Sequence, residues 1–243
     1  MKQESAKNRV ASPVKPVVMP ETAGLAADAD PKRRRRVHTE RLVWLSIIAV
    51  VAGIFGYTEL IAPNLEPKRF GVVVPGEIYR SGAPTPGGLR SVVERHGIKT
   101  VLDLGAHTPG SHEALLAQRQ AEALGVERIL LILEGDATGD PENYAIALRL
   151  MRDESKRPIL VHCAAGSQRT GCAVAMYRQI EQDWTFDEAY EESFQYDHEP
   201  DDPNTFVRQM LAEWTWPVEV AVRTGGEVRP AITDAPTADE SSE

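Results

Sequence analysis

The sequence predicts an α/β domain with a central, mostly parallel sheet flanked by helices, preceded by one transmembrane helix. Three observations predict it. From Phe70 onward, short strand-like runs alternate with longer stretches of helical periodicity. The run from Arg128 to Leu133, RILLIL, is continuously apolar, as in a strand covered on both faces. Leu42 to Tyr57 carries no charge at all and follows the basic run Lys32 to Arg36 after five residues.

The elements follow in chain order. Residues 1–41 form a basic tail expected to be disordered, being rich in Ala, Pro and Lys without sustained periodicity. Residues 42–62 supply the roughly 20 apolar residues that a bilayer span needs, with Trp44 and Tyr57 near its two ends. A buried core helix would show a polar face, and a cleaved signal peptide would show a small-residue cleavage site. Neither is present, so an uncleaved anchor is the preferred reading. The basic side places the N-terminus in the cytoplasm and the remainder on the outer face. Residues 63–69 are expected to be a linker. FGVVV, a Pro75-Gly76 turn and EIYRSG predict a β-hairpin. Leu89–Arg95 is a short helix and Lys99–Leu104 a strand. Ser111–Leu124 is a helix closed by Gly125. RILLIL follows as a strand. Asp140 and Pro141 open a helix as N-cap and first residue, with Tyr144, Ala147, Leu148 and Met151 on its apolar face. Pro158–His162 is a strand and Thr170–Ile180 a helix. Thr185 to Glu188 is a capping box, and a last helix runs from about Pro203 to Trp214. Residues 70–216 are thus the globular domain, and 217–243 read as a disordered tail.

Charge and cysteine count narrow the function. The formal net charge is -9. Residues 1–41 hold ten basic and five acidic side chains, which leaves about -14 on the rest. An acidic globular part argues against nucleic acid as a partner. Two cysteines, Cys163 and Cys172, are too few for a disulfide scaffold and lack the companions of a zinc site, so zinc is not expected; no other metal and no cofactor is expected either.

The informative segment is Ile159 to Gly171, ILVHCAAGSQRTG: a strand, a loop of small residues, then a helix start. A loop that ends at a helix N-terminus gathers backbone N–H groups into one concavity, and the helix dipole adds positive potential. Gly166 permits torsions that a side chain forbids. Arg169 can clamp a phosphate with two parallel hydrogen bonds. In the same field the thiol of Cys163 is expected to ionise readily. Thr170 is placed to hydrogen-bond the resulting thiolate, and His162 to order the loop. Cys172 lies on the apolar face of the next helix and reads as packing, a disulfide with Cys163 being the alternative.

VHCAAGSQRTG resembles the signature of cysteine-based protein phosphatases, H-C-x5-R-[ST], and matches it at His162, Cys163, Arg169 and Thr170. The upstream segment EIYRSGAPTPGGLRSVVERHGIKTVLDL is similar to the entry of small atypical dual-specificity phosphatases, so the resemblance covers roughly residues 70–215. It implies a protein-tyrosine-phosphatase-like fold and hydrolysis of phosphate monoesters through a cysteinyl-phosphate. Cys163 would be the nucleophile. Ala164, Ala165, Gly166, Ser167, Gln168, Arg169 and Thr170 would hold the phosphate. The family's general acid is an aspartate on a separate loop. Here the candidate loop runs from Glu134 to Asp140 and lacks the Trp-Pro-Asp triplet. Asp136 is favoured over Asp140, which serves as a helix cap, and over Glu134. Arg80 reads equally as a second phosphate contact or a structural salt bridge, and the acidic run Asp197–Asp202 as a solvated loop.

Phosphotyrosine or mixed phosphoprotein substrates are the first expectation, since the loop's side chains carry no charge. An inositol phosphate or phosphoinositide phosphatase is the alternative. So are a phosphate-binding module without turnover and a redox-sensing membrane module.

Overall fold

The computed structural model describes residues 31–230, with side chains from Glu40 onward. The tails expected over residues 1–30 and 231–243 therefore lie outside the described residues. Among the described residues, those up to Val51 and those from Ala52 form two separate compact units. The first belongs to helix α1 (Pro31–Gly56), which continues through one wide turn, Tyr57–Ile61, into the short helix α2 (Ala62–Leu65). Helix thus replaces the disordered tail expected over residues 31–41. Pro31 suits a first helical position, and no glycine or proline interrupts the next 21 residues. Glu40–Leu65 is, by length and composition, able to cross a bilayer. Its large side chains Trp44, Ile48 and Phe55 are each at least 60 % exposed.

Two further helical segments replace expected irregular chain. The linker read over residues 63–69 begins as α2, and its carbonyls are fastened to the domain. Thr85 Oγ1 donates to Pro63 O at 2.9 Å, Ser91 Oγ to Leu65 O at 2.7 Å, and Arg95 Nη2 also reaches Leu65 O. The tail read from residue 217 is the second half of the last helix, α8 (Val207–Thr224). Pro217 sits inside it. A helical proline costs about 3 kcal/mol, but Val218, Ala221 and Val222 are buried against the core and offset that cost.

The sheet has five strands in the order β1-β2-β5-β3-β4, with ranges Gly71–Val74, Ile78–Gly82, Thr100–Asp103, Glu127–Leu130 and Ile159–Cys163 for β1 to β5. Only the β1–β2 hairpin is antiparallel. Central β5 is buried along its whole length, and alternate residues feed two cores. Ile159 and Val161 face the larger one, with Ile78 and Leu102 and the helices α5 (Pro141–Arg152), α6 (Gln168–Gln182) and α8. Leu160 faces the smaller one with Tyr79 and Val101, beneath α3 (Pro86–His96). Helix α4 (His112–Ala123) precedes β4, and α7 (Phe186–Glu192) starts at the Thr185–Glu188 capping box.

Strand β4 stops three residues short of the expected Leu133. Its partner β3 ends at Asp103, and Leu131 N makes the last bond to it, to Asp103 O at 2.8 Å. The chain then turns away, and the carbonyls of Ile132 and Leu133 bond to Asn143 and Arg169 instead. The parallel strands thus end together at the C-terminal edge of the sheet, where ligands bind in sheets of this kind.

Candidate active site

Cys163 is the last residue of β5, paired in register with Gly82 of β2, and residues 164–167 lead from it into α6. The thiol is 1 % exposed. Its Sγ accepts a hydrogen bond from Gly166 N at 3.2 Å. Gly166 has φ +88°, and a Cβ there would stand 2.5 Å from Gly82 N. Gly82 is equally constrained, since a Cβ would meet Ala165 O at 2.5 Å. The two glycines let the loop and the end of β2 pack backbone to backbone.

The carbonyls of residues 164–166 are each engaged by a group from outside the loop, and that of Ser167 by the first turn of α6. Ala83 N donates to Ala164 O at 3.1 Å, Arg69 Nη1 to Ala165 O at 2.8 Å, and Arg80 Nη2 to Gly166 O at 2.6 Å. Gly171 N donates to Ser167 O at 2.8 Å. In a trans peptide the next N–H points opposite to the carbonyl. Carbonyls turned out therefore turn amides in, as the Gly166 N–Sγ bond demonstrates. Ala164, Ala165 and Gln168 are half-buried, while Gly166 and Ser167 are buried.

Arg169 lies in the first turn of α6. Its Nη1 donates to the carbonyls of Leu104 at 3.1 Å, Gly105, and Leu133 at 3.4 Å. All three bonds use Nη1, and Nε is buried without a partner among the described residues. Thr170 Oγ1 is likewise buried and unpartnered, so the expected bond to Cys163 is not made here. Arg80 makes neither a substrate-facing fork nor the expected salt bridge among the described residues. It is buried, bonded to Gly166 O, with its guanidinium 3.6 Å from the Tyr196 ring centroid.

Behind the loop, Asp103, Arg128 and His162 form a buried polar cluster that the sequence reading missed. Arg128 Nη2 donates to Asp103 Oδ2 at 2.6 Å, and His162 Nε2 lies 3.9 Å from the same oxygen. Its only sequence signal was strand register, since Asp103 and His162 are partners across β3 and β5. Burial would raise the Asp103 carboxyl, but His162, the Ala106 amide and Arg128 outweigh it and hold it below its ordinary value. Burial pushes the His162 imidazole down, with Asp103 opposing.

The loop after β4 is ordered by its own bonds. Glu134 N donates to Thr138 O, Tyr144 Oη to Ala137 O, and Phe206 N to Asp136 O. The Asp136 carboxylate accepts from Thr138 N at 2.9 Å and Thr138 Oγ1 at 2.6 Å. Burial works against its ionisation, yet those bonds and the field of Arg169 hold it below the usual carboxylate value. Asp136 is thus fastened within its own loop. Asp140 caps α5 through Glu142 N at 3.0 Å. Cys172 is buried beside Tyr144, and burial pushes its thiol up to about 12. Both cysteines are free thiols.

Residues 75–209 match the model of a family described as DSP-PTPase phosphatase fused to NAD+ kinase. The chain belongs to this family. It is an enzyme of the cysteine-dependent dual-specificity and tyrosine phosphatase type. The dual specificity protein phosphatase TpbA of Pseudomonas aeruginosa is 26 % identical over 174 residues, spanning 64 % of this chain and 74 % of TpbA. The inositol diphosphatase DSP3 of Arabidopsis thaliana is 31 % identical over 138 residues, spanning 55 % of this chain and 63 % of DSP3. This chain's match to the yeast inositol diphosphatase SIW14, at 29 % identity, spans 45 % of that protein. The solved catalytic core of SIW14 superposes with a TM-score of 0.54 at 22 % identity, over 66 % of this chain and 94 % of the core. TpbA itself gives 0.50 at 24 % identity, over 64 % and 91 %. Both likenesses show the phosphatase fold.

Proposed function

We propose that the chain hydrolyses phosphate monoesters on phosphotyrosine or mixed phosphoprotein substrates, through a cysteinyl-phosphate on Cys163. The observation that carries this reading is the loop itself, with a thiol at its centre, an amide on the sulfur and carbonyls turned outward. The phosphate's equatorial oxygens take the amides of residues 164–169 and the Nε side of Arg169, where charge spreads in the transition state. Cys163 Sγ attacks phosphorus in line and the P–O bond to the leaving oxygen breaks. Asp136 donates its proton to that oxygen. Water, losing its proton to the same carboxylate, then attacks phosphorus; the S–P bond breaks, freeing phosphate and the Cys163 thiolate. Thr170 Oγ1, buried and unpartnered, supports a role as donor to the departing sulfur. Asp136 must be protonated to act as acid, so the negative charge of the bound phosphate has to offset the Thr138 bonds and the field of Arg169 that favour its ionised form.

A second reading, hydrolysis of inositol diphosphates, draws on the relatives of that name. The uncharged loop side chains Ala164, Ala165, Ser167 and Gln168 favour the first. Ranking kcat/KM for phosphotyrosyl peptides, phosphoseryl peptides and inositol diphosphates decides between them. A preference of tenfold or more for the inositol compounds would overturn the phosphoprotein assignment.

The exposed apolar side chains of residues 42–62 support a single-pass membrane anchor, with Lys32–Arg36 on the cytoplasmic side and residues 70–216 on the outer face as the phosphatase domain. Protease added to the outside of intact cells should then cleave the phosphatase domain and spare an N-terminal tag. The reverse pattern would invert the orientation.

A further inference from the structure

Arg80 carries a buried positive charge that pairs with no carboxylate among the described residues. It is 1 % exposed on β2. Burial pulls its guanidinium down to about 10, with Tyr196, Glu192 and Cys163 opposing, so it is cationic at neutral pH. The neighbouring carboxylate, Glu192, is already held by Arg178 through two bonds of 2.6 and 2.9 Å. An unpaired buried charge is costly. What Arg80 does hold is the carbonyl of Gly166.

Arg69 makes the matching bond to the preceding carbonyl, Ala165 O. It is ion-paired with Asp197 at 2.9 Å. Both residues have left-handed backbones, φ +52° and +54°. Two strained non-glycine residues clasping each other beside the loop cost about 1–2 kcal/mol apiece, and such strain gathers where surrounding structure fixes a functional geometry.

We propose that Arg69 and Arg80 are positioning residues that hold the Ala165 and Gly166 carbonyls outward, so that the amides of Gly166 and Ser167 face the phosphate. Each carbonyl is joined through its own peptide plane to the following N–H. A carbonyl freed to rotate would turn oxygen, not N–H, toward a dianion. Lysine at either position keeps the charge but loses the fork that reaches the carbonyl while stacked or paired elsewhere. The proposal rests on the reading of Cys163 and its loop as the catalytic site.

The test uses the full chain in detergent, with wild type, Cys163→Ser, Arg69→Met and Arg80→Lys. Three quantities are read: kcat/KM for p-nitrophenyl phosphate, the inhibition constant of inorganic phosphate, and the melting temperature. Loss of a transition-state donor costs about 10²–10³-fold, and a loosened one should cost about 10–100-fold. The expected result is that fall in kcat/KM for both variants, with phosphate inhibition weakened about tenfold. A lowered melting temperature with phosphate inhibition unchanged would make both arginines merely structural and overturn the proposal. So would kcat/KM within twofold of wild type. Should Arg80→Lys not fold, the half-exposed Arg69 decides alone. Absence of Cys163-dependent turnover in wild type would instead sink the functional reading. Phosphate binding, followed by calorimetry, still tests the clamp in that case.

Discussion

At the scale of single residues, the two candidate acids separate by what their carboxylates already do. Asp136 bonds Thr138 within the loop and feels Arg169, whereas Asp140 caps α5. Asp136→Asn should lower kcat by about 10² or more, and more for phenyl phosphate than for p-nitrophenyl phosphate, whose leaving group needs less protonation. Asp140→Ala should leave kcat alone and cost about 1 kcal/mol of stability through the lost cap. An equal effect of both on kcat would reassign the acid. His162 gives a pH signature. Because its folded imidazole titrates below the unfolded one, protons favour the unfolded chain. Stability should be complete above about pH 6.5 and decline as the pH falls further. Thermal melts of wild type between pH 7 and pH 5 should show that decline, and His162→Gln should flatten it. An equal slope in both would place the proton uptake elsewhere.

At the scale of elements, the strand–loop–helix unit from Ile159 to Gln182 was legible because its glycine, cysteine and arginine spacing is a local property of the chain. Gly166→Ala combines a positive φ with a contact to backbone that has nowhere to go. Turnover should fall by at least 10²-fold with loss of stability, whereas Gly110→Ala, at φ +79° in open space, should cost only about 1–2 kcal/mol. The ends of elements were less legible. RILLIL reads as six strand residues, but only its first three, with Glu127, find a partner, because the length of β3 sets the limit. The second half of α8 looked like tail because residues 217–243 are polar and rich in Thr, Ala, Glu and Pro, whereas its burial comes from distant α5 and α6. Ending the chain after Trp216 should therefore destabilise the domain by about 3–5 kcal/mol, since two buried valines are lost. Unchanged urea unfolding would contradict that packing.

At the scale of the whole molecule, fold class was readable from alternation and burial pattern, and family from one loop. The supporting arginines Arg69 and Arg128 were not, since they reach the site only through sheet register and chain reversal, and Arg80 was singled out but not for the carbonyl that it holds. Nor was the attachment of α2, where Ser91, Thr85 and Arg95 clasp the carbonyls of Pro63 and Leu65, so a fastened helix stands where a linker was expected. The central claim is that this molecule turns over phosphate monoesters by attack of Cys163. The direct measurement is release of p-nitrophenol by the full chain in detergent, with chelator present, for wild type and Cys163→Ser. Chelator-resistant turnover that falls by about 10⁴-fold or more in the variant is the predicted result. Equal turnover by both proteins, or none from well-folded wild type, would contradict it.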